Sequence, residues 1–203
     1  MTESKRDMPK FLFNVPNMLS LYRIAVLPIL TVFFFIGGEW ATWVNIFFFF
    51  WACVSDYLDG VIARYTNQSS IFGKFIDHTS DKIMIGGVLF LLVAFGLIHG
   101  IWIACALIIF TREILISGLR EFLGQYKVDV PISWMGKWKT AVQMFASGFL
   151  MAGPVYGPEF IPGAYYIGEF AFLIATIMTV LSGWAYMKAG LDTLQRLEAE
   201  KSN

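Results

Sequence analysis

Asp56-Tyr-Leu-Asp59-Gly60-Val-Ile-Ala63-Arg64, followed after eight residues by Gly73-Lys-Phe-Ile-Asp77-His-Thr-Ser-Asp81, is the stretch on which the reading of this chain turns. Its four aspartates sit at the ends of apolar runs. The run from Trp40 to Ser55 carries no charge, and neither does the run from Ile83 to Thr111. Carboxylates on membrane-type helices are costly to bury, so they are functional candidates by default.

The rest of the chain supports a membrane setting. Of its 203 residues, 57% are hydrophobic, and the mean hydropathy is +0.63. The apolar residues come in long blocks. That composition excludes an ordinary soluble domain and implies an all-α integral membrane protein. Spans are predicted near 20–38, 40–64, 77–98, 100–124, 136–153 and 168–190. Several carry fewer uncharged residues than the roughly 20 that cross a bilayer core, so their charged ends reach into a polar cavity.

The charges fix the expected orientation. The segments around Gly37–Glu39, Ile98–Gly100 and Gly153–Glu169 contain no Lys or Arg, and all fifteen Lys and Arg fall toward the opposite ends. This positive-inside pattern predicts six transmembrane helices with both termini cytoplasmic and the aspartates in a cytoplasm-facing cavity. Net charge is zero, and no basic stripe suggests a nucleic-acid partner. Met1 to Asn17 reads as an interfacial segment, with Phe11, Leu12, Phe13 and Val15 beside Lys5, Arg6 and Lys10. No removable signal or Arg- and Ser-rich leader is evident, which favours a bacterial plasma (inner) membrane. Residues 191–203 read as a polar tail, a helix end followed by disorder. No linker or internal repeat appears, so residues 1–203 form a single expected domain. Cys53 and Cys105 read as small apolar fillers.

On a helix, residues three or four apart share a face. Asp56, Asp59, Gly60 and Ala63 therefore form one stripe, and Asp77 with Asp81 another. If the two helices pack side by side, the carboxylates converge, and Gly60, Ala63 and Gly73 leave room for a ligand. Converging carboxylates repel unless cations intervene. All-oxygen ligation suits two divalent ions, Mg²⁺ or Mn²⁺. Two such ions suit displacement at phosphorus. An ion-pair network with Arg64, Lys74 and Lys82, and a proton or cation pathway, are the alternatives that spacing leaves open.

Three further segments carry polar residues in apolar surroundings. Asn17-Met-Leu-Ser20-Leu-Tyr-Arg23 follows Pro16, where Asn and Ser are ordinarily helix caps. Thr111-Arg112-Glu113-Ile-Leu-Ile-Ser117-Gly-Leu-Arg120-Glu121 sets Glu113 and Arg120 on one face, as a salt bridge or an anion-binding wall. Gly136-Lys137-Trp138-Lys139-Thr140 opens the fifth span and is not a phosphate-cradling Walker loop. His99 lies in an expected external loop.

The aspartate stretch resembles, position for position, the signature of the CDP-alcohol phosphotransferase family, D-x2-D-G-x2-A-R-x8-G-x3-D-x3-D. Eight specified residues over 26 positions make the match specific. The resemblance implies that Asp56, Asp59, Asp77 and Asp81 ligate two metals and that Asp81 is also the general base. It implies a CDP-lipid site at Asn17, Ser20, Asp56, Gly60, Ala63, Arg64, Ser70 and Gly73, with Arg64 on the pyrophosphate. The Pro16-to-Arg23, Thr111-to-Glu121 and Gly136-to-Thr140 segments resemble those of members that use glycerol phosphate as acceptor. Arg112, Arg120, Lys137 and Lys139 would then hold the acceptor's phosphate. The implied substrates are CDP-diacylglycerol and sn-glycerol 3-phosphate, in a homodimer embedded in membrane lipid. One departure is His78, which stands where those members usually have Pro. Other acceptors within the family (inositol phosphate, serine, phosphatidylglycerol) and, from a different class, a cation or proton transporter are the competing readings.

Overall fold

The computed structural model describes residues 15–66, 71–126, 128, 134–153 and 161–201; within its helices, the side chains of residues 15, 16, 57, 59–66, 71, 74, 137, 197, 200 and 201 are not described. The interfacial segment expected before Asn17 and the site residue Ser70 therefore lie outside the described residues, except for the first turn of α1. The described residues form six helices joined by turns, in the order α1 (Val15–Ile36), α2 (Gly38–Thr66), α3 (Ile71–Ala94), α4 (Trp102–Gln125), α5 (Trp134–Met151) and α6 (Ala164–Lys201).

The chain divides into two compact units, Met1–Leu91 and Leu92–Asn203. In the first, α1 packs along α2. Gly37 and Gly38 turn the chain between them with φ of 68° and 82°, a left-handed conformation that side chains resist, and the Gly37 N–H closes α1 on the Phe33 carbonyl at 3.1 Å. Val26, Leu30, Phe34, Ala41, Phe49 and Ala52 are buried along the unit, and α3 adds Met84, Val88 and Leu89. A Cβ on Gly87 would lie 2.6 Å from Leu27 Cδ1, so glycine lets α3 receive the Leu27 side chain.

In the second unit, α6 packs along both α5 and α4. The α5–α6 contact depends on Gly168, where an added Cβ would meet the Leu150 backbone nitrogen at 2.8 Å. Small residues at such crossings let helix backbones approach where no hydrophobic effect drives association. Between the second half of α4 and α6, Ile116, Leu123 and Tyr186 form a buried cluster with Leu119, Val128, Met187 and Leu194 against it.

Polar residues share the interior with apolar ones, and many large apolar side chains face outward. Buried positions include Asn17, Ser20, Arg23, Asn45, Glu113, Lys139, Gln143 and Thr179, while Phe35, Trp43, Phe47, Phe90, Leu107, Phe170 and Trp184 are exposed. Water disfavours that distribution and lipid does not. Asn17–Ile36, Trp102–Gln125 and Ala164–Arg196 are each long and apolar enough to cross a membrane. The chain is an all-helical membrane protein.

Helix boundaries depart from the sequence reading where polar residues begin or end a helix. Asp77 and Asp81 lie one to three turns inside α3, which starts at Ile71, rather than at its beginning. Asn17 and Ser20 lie within α1. The tail expected to fray beyond Leu191 continues as helix to Lys201, because Leu-Asp-Thr-Leu-Gln-Arg-Leu-Glu-Ala-Glu-Lys is rich in strong helix formers. Cys53 and Cys105 are free thiols.

Candidate functional site

In the first unit, three helices contribute to one polar cluster. Asn17, Ser20 and Arg23 recur at three-residue steps on α1 and are all buried. That spacing keeps them on one face. Asp56 stands on α2, and Asp77 and Asp81 stand one turn apart on α3. One oxygen from each of Asp56, Asp77 and Asp81 falls within a group spanning at most 4.8 Å. The convergence expected from the two stripes is present in these three.

Arg23 ties the group together. Its Nη1 donates to Asp56 Oδ1 at 2.7 Å and to Asp81 Oδ1. Its Nη2 donates to Asp77 Oδ1 at 2.5 Å and to Ser20 Oγ at 3.2 Å. The arginine side chain is 2% exposed, whereas the aspartates are 33%, 50% and 34% exposed. The cation is thus buried while the carboxylates remain partly exposed. Ser80 Oγ donates to the Asp77 carbonyl at 2.9 Å, a local bond within α3. Gly73 lies in the first turn of α3. Asp59, Gly60, Ala63 and Arg64 are placed on α2 by the backbone, with their side chains outside the described residues.

The donor set fits divalent metal. Within this described set, three partly exposed carboxylates outnumber the one guanidinium. Oxygen donors of this kind suit Mg²⁺ or Mn²⁺.

The second unit holds another buried polar cluster. Glu113 on α4 forms an ion pair with Lys139 on α5, with side-chain exposures of 7% and 4%. Arg112 Nη1 approaches the same carboxylate at 3.4 Å, and its Nη2 donates to Ser182 Oγ on α6 at 3.1 Å. Gly183 makes room for the arginine stem, since a Cβ there would lie 2.9 Å from Arg112 Cγ. The Gln143 Oε1 and Thr179 Oγ1 atoms are buried in this unit without a hydrogen-bond partner among the described residues. Arg120 takes a different partner: its guanidinium lies over the Tyr186 ring, 5.8 Å from the centroid. The Lys137 side chain is outside the described residues. Beside Arg112, an open groove of about 530 Å³ runs between α4 and α6, lined chiefly by Leu107, Leu115, Val180, Trp184 and Met187.

The CDP-alcohol phosphatidyltransferase family model matches residues 13–184. The chain belongs to the CDP-alcohol phosphatidyltransferase family. As a member it is a transferase, and the motif from Asp56 to Asp81 lies within the matched region. Among curated relatives, the CDP-diacylglycerol–glycerol-3-phosphate 3-phosphatidyltransferase of Rickettsia bellii (strain RML369-C) is 39% identical over 176 residues, covering 87% of this chain and 94% of that one. A protein of the same name from Salmonella choleraesuis (strain SC-B67) is 34% identical over 185 residues, covering 90% and 97%. One from Rickettsia felis (strain ATCC VR-1525 / URRWXCal2) is 38% identical over 179 residues, covering 87% and 94%.

Two residues of these family-member clusters were not singled out as site residues by the sequence. Arg23 read as one of many inside-facing cations, although its spacing from Ser20 and Asn17 already set it on their polar face. Glu113 shares a face with Arg120 by spacing, which leaves an intrahelical or an interhelical salt bridge open; its carboxylate forms an interhelical pair with Lys139 from α5. Nothing local in the sequence announces that partner.

Proposed function

We propose that the protein transfers the phosphatidyl group of CDP-diacylglycerol to sn-glycerol 3-phosphate, giving phosphatidylglycerol phosphate and CMP, as a phosphatidylglycerophosphate synthase. The observation that carries this reading is the convergence of Asp56, Asp77 and Asp81 inside a family signature, in a chain whose curated relatives bear that activity in their names.

In the proposed mechanism, Asp56, Asp59, Asp77 and Asp81 hold two divalent ions, Mg²⁺ or Mn²⁺. When bound, these neutralise charge developing on the pyrophosphate. Asp81 takes the proton from the C1 hydroxyl of glycerol 3-phosphate. That oxygen attacks the lipid-side phosphorus in line, the bond to the bridging oxygen breaks, and CMP leaves. Arg64 binds the pyrophosphate, while Asn17, Ser20, Gly60, Ala63, Ser70 and Gly73 border the CDP-lipid. Arg112, Arg120, Lys137 and Lys139 hold the acceptor's phosphate by charge-assisted hydrogen bonds. The groove between α4 and α6 suits acyl chains, being apolar and open along two membrane-crossing helices.

All six helices span the membrane in this reading, as one domain with both termini cytoplasmic. The protein is a homodimer in the plasma (inner) membrane with its active site facing the cytoplasm. The absence of Lys and Arg from the opposite loops supports that orientation.

The test is CMP release by the purified protein in micelles containing CDP-diacylglycerol. Glycerol 3-phosphate, inositol phosphate and serine are offered separately, with Mg²⁺, Mn²⁺ or EDTA. Metal-dependent release with glycerol 3-phosphate alone is expected. Release only with another acceptor would overturn the acceptor assignment and keep the metal site.

A further inference from the structure

α6 carries none of the sequence segments that mark the site, yet it supplies partners for two arginines on α4. Ser182, Gly183 and Tyr186 stand three and four residues apart on it, so they form one stripe, and all three are buried. Arg112 and Arg120 stand about two turns apart on α4. Arg112 Nη2 donates to Ser182 Oγ at 3.1 Å. The Ser182 hydroxyl itself donates to the Thr179 carbonyl at 3.3 Å, which turns a lone pair toward the guanidinium. A Cβ on Gly183 would lie 2.9 Å from Arg112 Cγ and 3.1 Å from its Nε, so the glycine is a notch that seats the arginine stem. Arg120 lies over the Tyr186 ring, 5.8 Å from the centroid, while the Tyr186 hydroxyl has no hydrogen-bond partner among the described residues. The ring, rather than the hydroxyl, is what meets the cation.

From this geometry we infer that Ser182, Gly183 and Tyr186 are positioning residues for the phosphate-bearing acceptor, holding the two α4 arginines ready for its anion. The inference rests on the acceptor reading of Arg112 and Arg120 given above. A long side chain loses rotamer freedom when it grips a ligand, and that loss weakens binding. Arg112 is fixed at its stem by the Gly183 notch and at its tip by Ser182, and Arg120 is fixed over an aromatic face, so the fold has already borne much of that loss. The three α6 residues act through the arginines. Their removal should therefore appear in the KM for glycerol 3-phosphate, with the KM for CDP-diacylglycerol little changed. Packing alone predicts otherwise. Tyr186 belongs to the apolar cluster with Ile116 and Leu123, and a packing role would show in stability and not in one substrate's KM.

The experiment is steady-state CMP release by the full chain in micelles, with each substrate varied in turn, beside thermal midpoints. Tyr186→Leu keeps apolar bulk and removes the aromatic face, and should raise the KM for glycerol 3-phosphate about threefold to fivefold. Tyr186→Phe keeps the face and should retain the parent KM. Gly183→Ala shifts the Arg112 stem and should raise the same KM about tenfold. Ser182→Ala should raise it about threefold. These last two cover the case in which Tyr186→Leu does not fold. Arg112→Gln and Arg120→Gln set the scale, each raising that KM at least as far as its α6 partner does. If the arginine variants raise it while folded α6 variants leave it unchanged, or raise both substrates' KM alike, the inference is overturned and the acceptor site stands. If the arginine variants leave it unchanged, the acceptor reading falls, and this inference with it.

Discussion

The Lys139 ammonium and the Glu113 carboxylate meet between α5 and α4 with both side chains almost wholly buried. Removing one member leaves the other charged and unpaired. Glu113→Ala is expected to cost about 3–5 kcal/mol, seen as a lower thermal unfolding midpoint in detergent. The double variant Glu113→Leu, Lys139→Met should recover most of that loss, because neither charge then remains. A single variant as stable as the parent would show that the pair is not held in a dry interior.

The same lysine separates the two substrates. If Lys139 holds the acceptor's phosphate, Lys139→Met should raise the KM for glycerol 3-phosphate about tenfold or more, the worth of a charge-assisted hydrogen bond. The KM for CDP-diacylglycerol should change little. Steady-state kinetics with each substrate varied in turn decides it, and equal effects on both argue against an acceptor pocket there.

Asp56 and Asp77 are expected to be indispensable. Asp56→Asn and Asp77→Asn keep shape and remove charge, and each should lower CMP release at least about a hundredfold. EDTA should abolish release by the parent, and Mg²⁺ or Mn²⁺ should restore it. Near-normal turnover by either variant would remove these residues from the metal site.

Two glycines should respond to alanine with opposite signs. At Gly168 the new Cβ would lie 2.8 Å from the Leu150 backbone nitrogen and 3.1 Å from the Phe149 carbonyl carbon, atoms that cannot rotate away. Gly168→Ala should destabilise by about 1–3 kcal/mol. At Gly118, within α4, nothing lies within 4 Å of the new Cβ. Gly118→Ala should be neutral or stabilise by up to about 1 kcal/mol through helix propensity. Thermal midpoints of the two variants against the parent check both.

The helical class, the six helices among the described residues and the gathering of Asp56, Asp77 and Asp81 were legible in the sequence because each follows from short periodicities. A three- or four-residue spacing says which side chains share a face, and uninterrupted apolar runs say where helices lie. What was not legible depended on partners from other helices. Nothing near Arg23 reveals that acids on α2 and α3 will surround it, and nothing near Glu113 reveals Lys139. Helix boundaries escape the sequence for a related reason. Charge marks the edge of an apolar run but not of a helix, so α3 begins at Ile71, six residues ahead of Asp77, and α6 runs past Leu191 to Lys201.

Arg23 also constrains the order of assembly. It lies 33 residues ahead of Asp56, 54 ahead of Asp77 and 58 ahead of Asp81. During synthesis α1 therefore reaches the membrane carrying a cation whose partners do not yet exist. An unpaired arginine is costly in hydrocarbon, so the start of α1 must stay hydrated near the surface until α2 and α3 arrive. The first helix is thus an apolar anchor that settles only once α2 and α3 have followed it, and their acids complete its insertion.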